Sequence, residues 1–224
     1  MDEAQLGALL SLYGERAHDL KMFMNAVSDT IGLHPKLTVP GKEAVHSYKR
    51  RMKDPEHLKE KIIRKDASGI EVTEDNLFEI ITDLAGVRLL HLYQNQFGEI
   101  DGVIRQKVID GDWVLGERPK AYTWDPDNVK YFAEFDLDVQ QKATAYTSVH
   151  YLVRPRADSP ICCEVQVRTL FEEIWGEVDH RINYPTPTED LACREQILVL
   201  SKVVGAGSRL LEALSRVHAL TENR

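Results

Sequence analysis

The 224-residue sequence lacks the features that mark membrane, secreted and zinc-binding proteins. No apolar run approaches the about eighteen residues that a membrane helix needs, so we expect no membrane span and no membrane partner. Only three cysteines occur, and none has the Cys-x-x-Cys or Cys/His spacing of a zinc site, which also argues against a disulfide framework. The first residues lack the basic and apolar regions of a secretory signal, so we expect a cytoplasmic protein.

Two further absences concern the binding of anions. The sequence has no Gly-rich loop of the Walker or Rossmann kind, so a bound polyphosphate would have to be held by side chains. The formal net charge of −8 argues against a protein that binds nucleic acid over its whole surface. Residues 42–65 nevertheless contain nine Lys or Arg against four Asp or Glu. Such a block is typical either of contact with an anionic partner or of a solvated helix face.

Apolar periodicity predicts an α/β fold of the α+β kind, in which helices flank a mixed β-sheet. Residues 2–33 carry apolar side chains at spacings of three and four, which predicts one long helix that packs on the domain or supports a homo-oligomer. Strands are predicted at 87–93, 147–153 and 161–167. The other predicted helices are 54–65, 73–81, 98–110, 169–182 and 188–220, the last with an interruption at 205–207.

The remaining stretch, residues 111–141, is predicted to be irregular, apart from one strand near 129–135. These elements suggest a division into three parts. We expect an N-terminal helical extension at 1–40, a central domain at 41–185 and a C-terminal helical extension at 186–224.

Two carboxylates are candidates for a metal site, because each lies where a strand would place it over a cleft. Asp83 comes just before one predicted strand, and Glu164 lies inside another. If these strands are neighbours, both groups could hold one Mg²⁺, which accepts one or two carboxylates together with phosphate oxygens. The alternative is that Asp83 caps a turn and that Glu164 pairs with Arg88 or Arg168.

Basic side chains around the start of the helix at 54–65 could hold phosphates. Arg51 and Lys53 come just before this helix, and Lys61 lies two turns inside it. All three could converge on a polyphosphate at the helix N-terminus, where backbone N–H groups also favour anions.

A tyrosine at a strand entry could bind a base. Tyr146 precedes a strand whose polar face carries Ser148 and His150. A tyrosine can stack on a base, and a histidine on the same face can contact phosphate or sugar. Either side chain could equally belong to the core.

Taken together, these segments resemble those of the RelA/SpoT-type alarmone synthetase domain. Five segments in order carry the resemblance: Arg51-Met52-Lys53 with Lys61; Asp83-Leu84-Ala85-Gly86-Val87-Arg88; Lys142 with Tyr146-Thr147-Ser148-Val149-His150; Glu164-Val165-Gln166-Val167-Arg168-Thr169; and Trp175 with Asp179-His180 and Tyr184. Each segment alone is a weak signal, whereas five in order at fitting spacings are specific to the family.

The resemblance implies a sheet of the nucleotidyltransferase type and an ATP-dependent pyrophosphotransferase. It implies that the β,γ-diphosphate of ATP moves to the 3′-hydroxyl of GDP or GTP to make (p)ppGpp, with Mg²⁺ as cofactor and nucleotides as partners. Asp83 and Glu164 are implied as catalytic groups and metal ligands, with Glu164 as a second ligand or as the base for the hydroxyl proton. The implied ATP-binding residues are Arg51, Lys53, Lys61 and Arg88, and the implied acceptor-binding residues are Tyr146, Lys142, Ser148, His150, Gln166 and Arg168.

The sequence departs from the family pattern mainly on the acceptor side. Thr144-Ala145 replaces the usual Asn-Gly before the stacking tyrosine, and an acidic segment at 134–138 replaces a Lys-Asp-Tyr segment. Other readings therefore stay open: an adenine nucleotide or the tRNA 3′ end as acceptor, or a nucleotide-binding regulatory module without turnover. A tRNA acceptor would need a basic track. The candidate track in the C-terminal helices comprises Arg194, Lys202, Arg209 and Arg216.

Overall fold

The computed structural model describes residues 2–142, 144, 146–184 and 186–222. Its helices are α1 Glu3–Gly32, α2 Pro55–Ala67, α3 Leu77–Ile80, α4 Phe97–Ile109, α5 Pro126–Phe132, α6 Leu170–Asn183 and α7 Leu191–Glu222, with a short 3₁₀ turn at Gln94–Gln96. Its strands are β1 Ser47–Met52, β2 Ala85–His91, β3 Val114–Leu115, β4 Lys120–Thr123, β5 Asp138–Gln141, β6 Ser148–Arg154 and β7 Cys163–Thr169. Within the described ranges, no helix combines the length and apolar character that crossing a membrane requires.

The described strands form one sheet of seven, in the order β1-β2-β7-β6-β4-β5, with β3 paired to β6. The pairs β2–β7 and β4–β5 are parallel, and the others are antiparallel. This mixed sheet flanked by helices confirms the predicted α+β fold class.

The register of the central strands separates a polar face from an apolar one. Gly86 lies opposite Glu164, Arg88 opposite Gln166, and Gln166 opposite His150 on its other side. Because side chains alternate along a strand, these residues share one face of the sheet. The intervening residues point to the other face and are buried, among them Val87, Leu89, Val149, Tyr151, Val165 and Val167. The sheet therefore has a core side and a side free for chemistry.

Helix α1 packs into the same core as the strands. It begins at Asp2, whose side chain accepts the N–H of Gln5 while the Gln5 side chain accepts the N–H of Asp2, a reciprocal cap. Its buried face comprises Leu9, Tyr13, Leu20, Met24, Val27, Ser28, Ile31 and Gly32. This confirms the predicted long helix and its packing stripe. The Tyr13 hydroxyl also donates to the Lys53 carbonyl oxygen at 2.6 Å, so the helix holds backbone at the end of β1.

One strand prediction is wrong. Residues 126–132 form helix α5 rather than part of a strand near 129–135. The cause is local capping, because the Asp125 side chain accepts the N–H of Asp127 at 2.9 Å and Pro126 suits the first helical turn.

The predicted interruption at 205–207 is also wrong, because α7 is continuous from Leu191 to Glu222. Gly207 faces the ring of Phe171 on α6, and a Cβ at this position would lie 2.7 Å from the ring. The glycine therefore permits close packing of two helices and does not break one.

Four strands were not predicted from the sequence: β1, β3, β4 and β5. β1 contains a run of charged residues from the basic block, so its sequence does not show the alternation of polar and apolar side chains that indicates a strand. β2 begins and ends two residues before the predicted strand at 87–93, and α3 covers only part of the helix predicted at 73–81. The division at residue 40 stays a prediction, and the boundary residue 185 and the last two residues lie outside the described residues.

We expect Gly32→Ala to destabilise the fold by roughly 1–3 kcal/mol, because an added methyl group would overlap the ring of Tyr48 on β1. Gly14→Ala, in the exposed middle of the same helix with nothing within 4 Å, should instead stabilise it by roughly 0.5–1 kcal/mol. Urea unfolding of both variants measures the difference. Equal effects of the two substitutions would contradict the packing of α1 on β1.

Candidate active site

A cleft of about 650 Å³ lies over the polar face of the sheet, between β1, β2 and β7 on one side and α6 on the other. Its lining includes seven of the predicted site residues: Arg51, Asp83, Arg88, Tyr146, Glu164, Gln166 and Arg168. The other five predicted residues are Lys53, Lys61, Lys142, Ser148 and His150. Lys53, Lys61 and His150 contact this lining, Ser148 lies beneath it, and Lys142 is separated from it by the ring of Tyr122.

Asp83 is held between two lysines. Lys53 Nζ donates to Asp83 Oδ2 at 2.8 Å, and Lys61 Nζ donates to Asp83 Oδ1 at 2.7 Å. Lys53 directly follows β1, where its N–H donates to the Leu84 carbonyl oxygen, and Lys61 lies on α2. Burial raises the pKa of Asp83, but the charges and hydrogen bonds of Lys61 and Lys53 outweigh it, so this pKa lies below its ordinary value. The carboxylate is ionised and already paired.

Glu164 accepts hydrogen bonds from two neighbours on the same face of the sheet. His150 Nδ1 lies 3.1 Å from Glu164 Oε1, and Gln166 Nε2 donates to Oε2 at 2.8 Å. Burial raises the pKa of Glu164, and so does the charge of Asp83 to a smaller extent. The contacts with His150 and Gln166 outweigh both, so this pKa is lower than usual.

Tyr146 lies at the side of the cleft away from Asp83. Its hydroxyl is 2.8 Å from His150 Nε2, and the Arg168 guanidinium carbon lies 6.0 Å from its ring centroid. Ser148 lies beneath, 1% exposed, with its hydroxyl directed at the Val167 carbonyl oxygen at 3.4 Å. Ser148 is therefore part of the floor and not accessible to a ligand. Ala145, which together with Thr144 replaces the Asn-Gly that the family usually has before this tyrosine, lies outside the described residues.

Lys142 is separated from the cleft by a ring that the sequence had not indicated. Its Nζ lies 4.4 Å from the ring centroid of Tyr122, on β4. Tyr122 in turn lies 6.3 Å from the Tyr146 ring and edge-on to His150 at 5.0 Å. Lys142 is thus connected to the Tyr146 side of the cleft only through an aromatic neighbour.

A buried glutamate on α6, Glu173, pairs with three cationic side chains of the cleft. Glu173 Oε1 accepts from Lys49 Nζ at 2.9 Å and from Arg88 Nη1 at 2.8 Å, and Glu173 Oε2 lies 2.9 Å from Arg168 Nη2. Arg88 also donates to Glu177 at 2.8 Å. Burial raises the pKa of Glu173, but the three cations outweigh it and this pKa lies below its ordinary value. In this state the cations are held by protein carboxylates.

Sequence reasoning had missed Lys49, Tyr122, Glu173 and Glu177. The spacing of four between the two glutamates puts them on one face of α6, which is the signal that could have indicated a partner for Arg88. Lys49 shares a strand face with Arg51, but only recognition of β1 would have revealed it.

The far end of α6 forms the rim of the cleft. The rings of His180 and Tyr184 stack at 4.5 Å, and His57 on α2 meets Tyr184 edge-on at 5.4 Å. The indole Nε1 of Trp175 donates to the Ile197 carbonyl oxygen at 3.3 Å, which fastens α6 to α7. These contacts close the cleft on the side opposite the sheet.

The charges of the cleft suit a polyanion together with one hard cation. Within the described residues, no group of three or more His, Cys, Asp or Glu could hold a metal ion by itself. Two carboxylates do meet the usual requirement of Mg²⁺ when a nucleotide supplies the remaining oxygens.

Comparisons with known proteins identify the family and the fold. The family model described as a region found in RelA/SpoT proteins matches residues 50–189. The GTP pyrophosphokinase YwaC of Bacillus subtilis is 23% identical over 151 residues, which is 65% of this chain and 61% of the relative, so the match leaves more than a third of the relative uncovered.

Among solved structures, small alarmone synthetase 1 from Bacillus subtilis is 18% identical, with 97% of this chain and 98% of the other covered and a TM-score of 0.63. A GTP pyrophosphokinase family protein from Streptococcus pneumoniae is 19% identical, with 100% and 97% covered and a TM-score of 0.63. The Bacillus protein has also been solved bound to its product pppGpp and to AMPCPP, with TM-scores of 0.61 and 0.57. At such identities these likenesses establish the fold.

We expect Asp83→Asn to destabilise the protein by roughly 1–3 kcal/mol at pH 7, because it leaves two partly buried ammonium groups without a charged partner. The folded pKa of Asp83 lies below the value of about 3.9 that the unfolded chain has, so the pairing stabilises the fold above that pH. This contribution is lost as the pH falls through the folded pKa. The difference between wild type and variant should therefore shrink as the pH falls below about 3.9.

Urea unfolding at a series of pH values measures this difference. Asp19→Asn, on the exposed face of α1, is the matched control and should have little effect at any pH. A difference for Asp83→Asn that stays constant down to about pH 3 would contradict the pairing.

Proposed function

The chain belongs to the RelA/SpoT family, and on that premise we propose that it moves the β,γ-diphosphate of ATP to the 3′-hydroxyl of GDP or GTP, making (p)ppGpp. The proposal rests on the observation that three groups line one cleft. These are Asp83, which is bonded to lysine, Glu164, which is bonded to His150, and the ring of Tyr146, on which a base could stack. Small alarmone synthetase 1, which shares the fold, has been solved with pppGpp and with AMPCPP.

The donor subsite is assigned to the cationic half of the cleft. Arg51 would stack on the adenine, while Lys53, Lys61 and Arg88 would hold the phosphates of ATP. Each of the last three is now bound to a carboxylate, so the triphosphate would compete with Asp83, Glu173 and Glu177 for them.

Asp83 and Glu164 fit Mg²⁺, because both are carboxylates with a lowered pKa and both line the same cleft. They would hold the ion together with phosphate oxygens. Bound there, it would neutralise charge on the diphosphate as it is transferred. The lysines that now neutralise Asp83 would move to the phosphates.

In the transfer step, the acceptor 3′-oxygen attacks the β-phosphorus of ATP. A bond forms between that oxygen and the β-phosphorus, and the bond from the β-phosphorus to the bridging oxygen of the α-phosphate breaks, so AMP leaves. Glu164 accepts the proton of the 3′-hydroxyl. Positioning and charge neutralisation carry most of such a reaction, which suits a cleft of fixed cations and one base.

The acceptor subsite is assigned to the Tyr146 side, with Gln166 on the sheet floor. The acidic segment at 134–138 is weaker evidence against binding of a guanine nucleotide than its sequence alone indicates. Within it, Asp136 Oδ1 lies 2.9 Å from Arg118 Nη2, and its Oδ2 lies 3.7 Å from Arg105 Nη1, so this charge is already compensated.

The basic track proposed for tRNA is partly engaged within the protein. Arg209 pairs with Asp125, and Arg194 donates to the Thr188 carbonyl oxygen at 2.7 Å. An adenine nucleotide and tRNA are therefore kept as outcomes of the test. A cytoplasmic location and self-association stay predictions.

The test is to incubate the protein with Mg²⁺ and γ-labelled ATP, to offer GDP, GTP, ADP, ATP and tRNA in parallel, and to resolve the products. We expect label in a guanosine 3′-diphosphate product. Label in an adenine nucleotide or in tRNA would identify that molecule as the acceptor in place of a guanine nucleotide. Label in no product, while ATP still binds, would favour a regulatory module.

Glu164→Gln should lower transfer by roughly 10²- to 10⁴-fold while ATP binding is largely kept, because the amide removes the proton acceptor and preserves the shape. Glu134→Gln, outside the cleft lining, is the matched control and should retain activity. Full activity of Glu164→Gln would refute its assigned role.

Metal binding should depend on the nucleotide, because Asp83 is neutralised by two lysines when no phosphates are present. Mn²⁺ can replace Mg²⁺ as a paramagnetic probe whose binding is followed by water proton relaxation. We expect weak binding of Mn²⁺ alone, strong binding with AMPCPP, and loss of the increase in Asp83→Ala. Equal Mn²⁺ affinity with and without AMPCPP would contradict the predicted dependence of metal binding on the nucleotide.

A further inference from the structure

A second cavity, of about 330 Å³, lies beside the cleft, between α5, α6 and α7. Trp175 on α6 is 4% exposed and separates the two spaces. Among the described residues it is the only one that lines both of them. The proposed reaction therefore assigns no task to the second cavity.

Aromatic side chains form part of the wall of the second cavity. The described lining includes Trp124, Tyr131 and Trp175. Two of these rings are fixed by hydrogen bonds, because the Tyr131 hydroxyl donates to the Gln94 carbonyl oxygen at 3.0 Å and Trp175 donates to α7. Aromatic rings attract organic cations, and a cavity of this size can hold a small molecule.

The charged groups of the second cavity have an excess of negative charge. The described lining carries four carboxylates and two guanidinium groups, from Asp125, Asp127, Glu172, Glu212, Arg209 and Arg216. When all of them are ionised, four negative charges against two positive ones leave an excess of two. Two of the carboxylates are already paired, Asp125 with Arg209 and Asp127 with Lys130 at 3.6 Å.

The other two carboxylates, Glu172 and Glu212, form no salt bridge within the part of the chain that the structure describes. Each is held through one oxygen by a backbone group: Glu172 accepts the Thr169 N–H at 2.9 Å, and Glu212 accepts the Asn95 N–H at 3.3 Å. Burial raises the pKa of Glu172 to about 7, and the charge of Asp125 adds to this effect. A cation beside Glu172 would favour its ionised form.

The protein itself already places an organic cation against this lining. The guanidinium of Arg209 pairs with Asp125. Both groups lie with the Trp124 ring around Gly205 of α7, where a Cβ would be 3.5 Å from the ring and 3.9 Å from each charged group. The Arg209 side chain is 54% exposed, so it pairs with the buried carboxylate from the solvent side.

A buried polar atom of the lining is also available to a ligand. The Ser208 hydroxyl has no hydrogen-bond partner among the described residues, and it could accept a hydrogen bond from an ammonium group. A metal ion fits less well, because no group of three or more His, Cys, Asp or Glu in the described ranges could hold one. The lining thus favours an organic cation with two charges.

We propose that the second cavity is a binding site for a short aliphatic diamine, whose two ammonium groups pair with Glu172 and Glu212 and whose carbon chain lies against the aromatic wall. This site is separate from the cleft. It does not depend on the proposed pyrophosphate transfer, so an inactive protein that binds the diamine would refute that function alone.

Isothermal titration calorimetry of the full chain with putrescine, a four-carbon diamine, tests the proposal. We expect one molecule to bind per chain. Butylamine, which has the same carbon chain and one ammonium group, should bind roughly 10-fold more weakly, and the neutral butanediol should not bind. Equal affinities for putrescine and butylamine, or displacement of putrescine by an equal concentration of Mg²⁺, would overturn the proposal.

Two conservative substitutions remove one charge each from the second cavity. Glu172→Gln and Glu212→Gln keep a side-chain oxygen that can accept the backbone N–H, so the fold is preserved. Each should weaken putrescine binding by roughly 10-fold. Glu177→Gln, also on α6 but in the lining of the cleft, is the matched control and should leave this affinity unchanged. A loss of affinity in Glu177→Gln but not in Glu172→Gln would place the diamine in the cleft.

Arg209→Met removes the cation that competes for the lining and should strengthen putrescine binding by roughly 3- to 10-fold. Weaker binding in this variant would indicate a site for anions and overturn the proposal. Nuclear Overhauser effects locate the ligand without reference to its affinity. We expect them between the methylene protons of putrescine and the indole of Trp124. Effects to the rings of His180 and Tyr184, at the rim of the cleft, would contradict the assigned site.

Discussion

Charge compensation inside a half-buried cleft is the constraint on which the rest of the site depends. Asp83 lies between two lysines and Glu173 among three cations, and in both cases burial opposes the charged form while the partners restore it. Unpaired charges at such depth would be costly, so each group is placed with a partner of opposite sign. A nucleotide that enters the cleft would exchange one set of partners for another, and the cations would already stand near the phosphates.

The sheet makes this compensation possible because its central strands are buried on one face and polar on the other. Glu164 and Gln166 alternate with Val165 and Val167 on β7, so the same seven residues supply both core and chemistry. Helix α6 then covers the polar face and brings Glu173 to it. A shift of one residue in the register would send the carboxylate into the core, so packing and function specify the same alignment.

Local patterns in the sequence predicted the parts of this arrangement that depend on near neighbours. The polar face of β6 and the apolar stripe of α1 both rest on residues a few positions apart. The partners of the cleft cations were not predictable in this way, because Glu173 is 85 positions from Arg88 and 124 from Lys49. The helix α5 was missed because its apolar residues suit a strand equally well, and the Asp125 cap decides between the two. The resemblance implies Ser148 as an acceptor-binding residue, because a sequence motif does not distinguish a floor residue from an accessible one.

The hydrogen bond from Tyr13 to the Lys53 carbonyl oxygen has a consequence for how the sequence can vary. It attaches the first helix to the backbone that presents a lysine to Asp83, although no residue of that helix lines the cleft. Sequence drift on the buried face of α1 is therefore constrained by the geometry of the cleft as well as by packing. Natural variants that lose activity should be found there too, far from every motif by which the family is recognised.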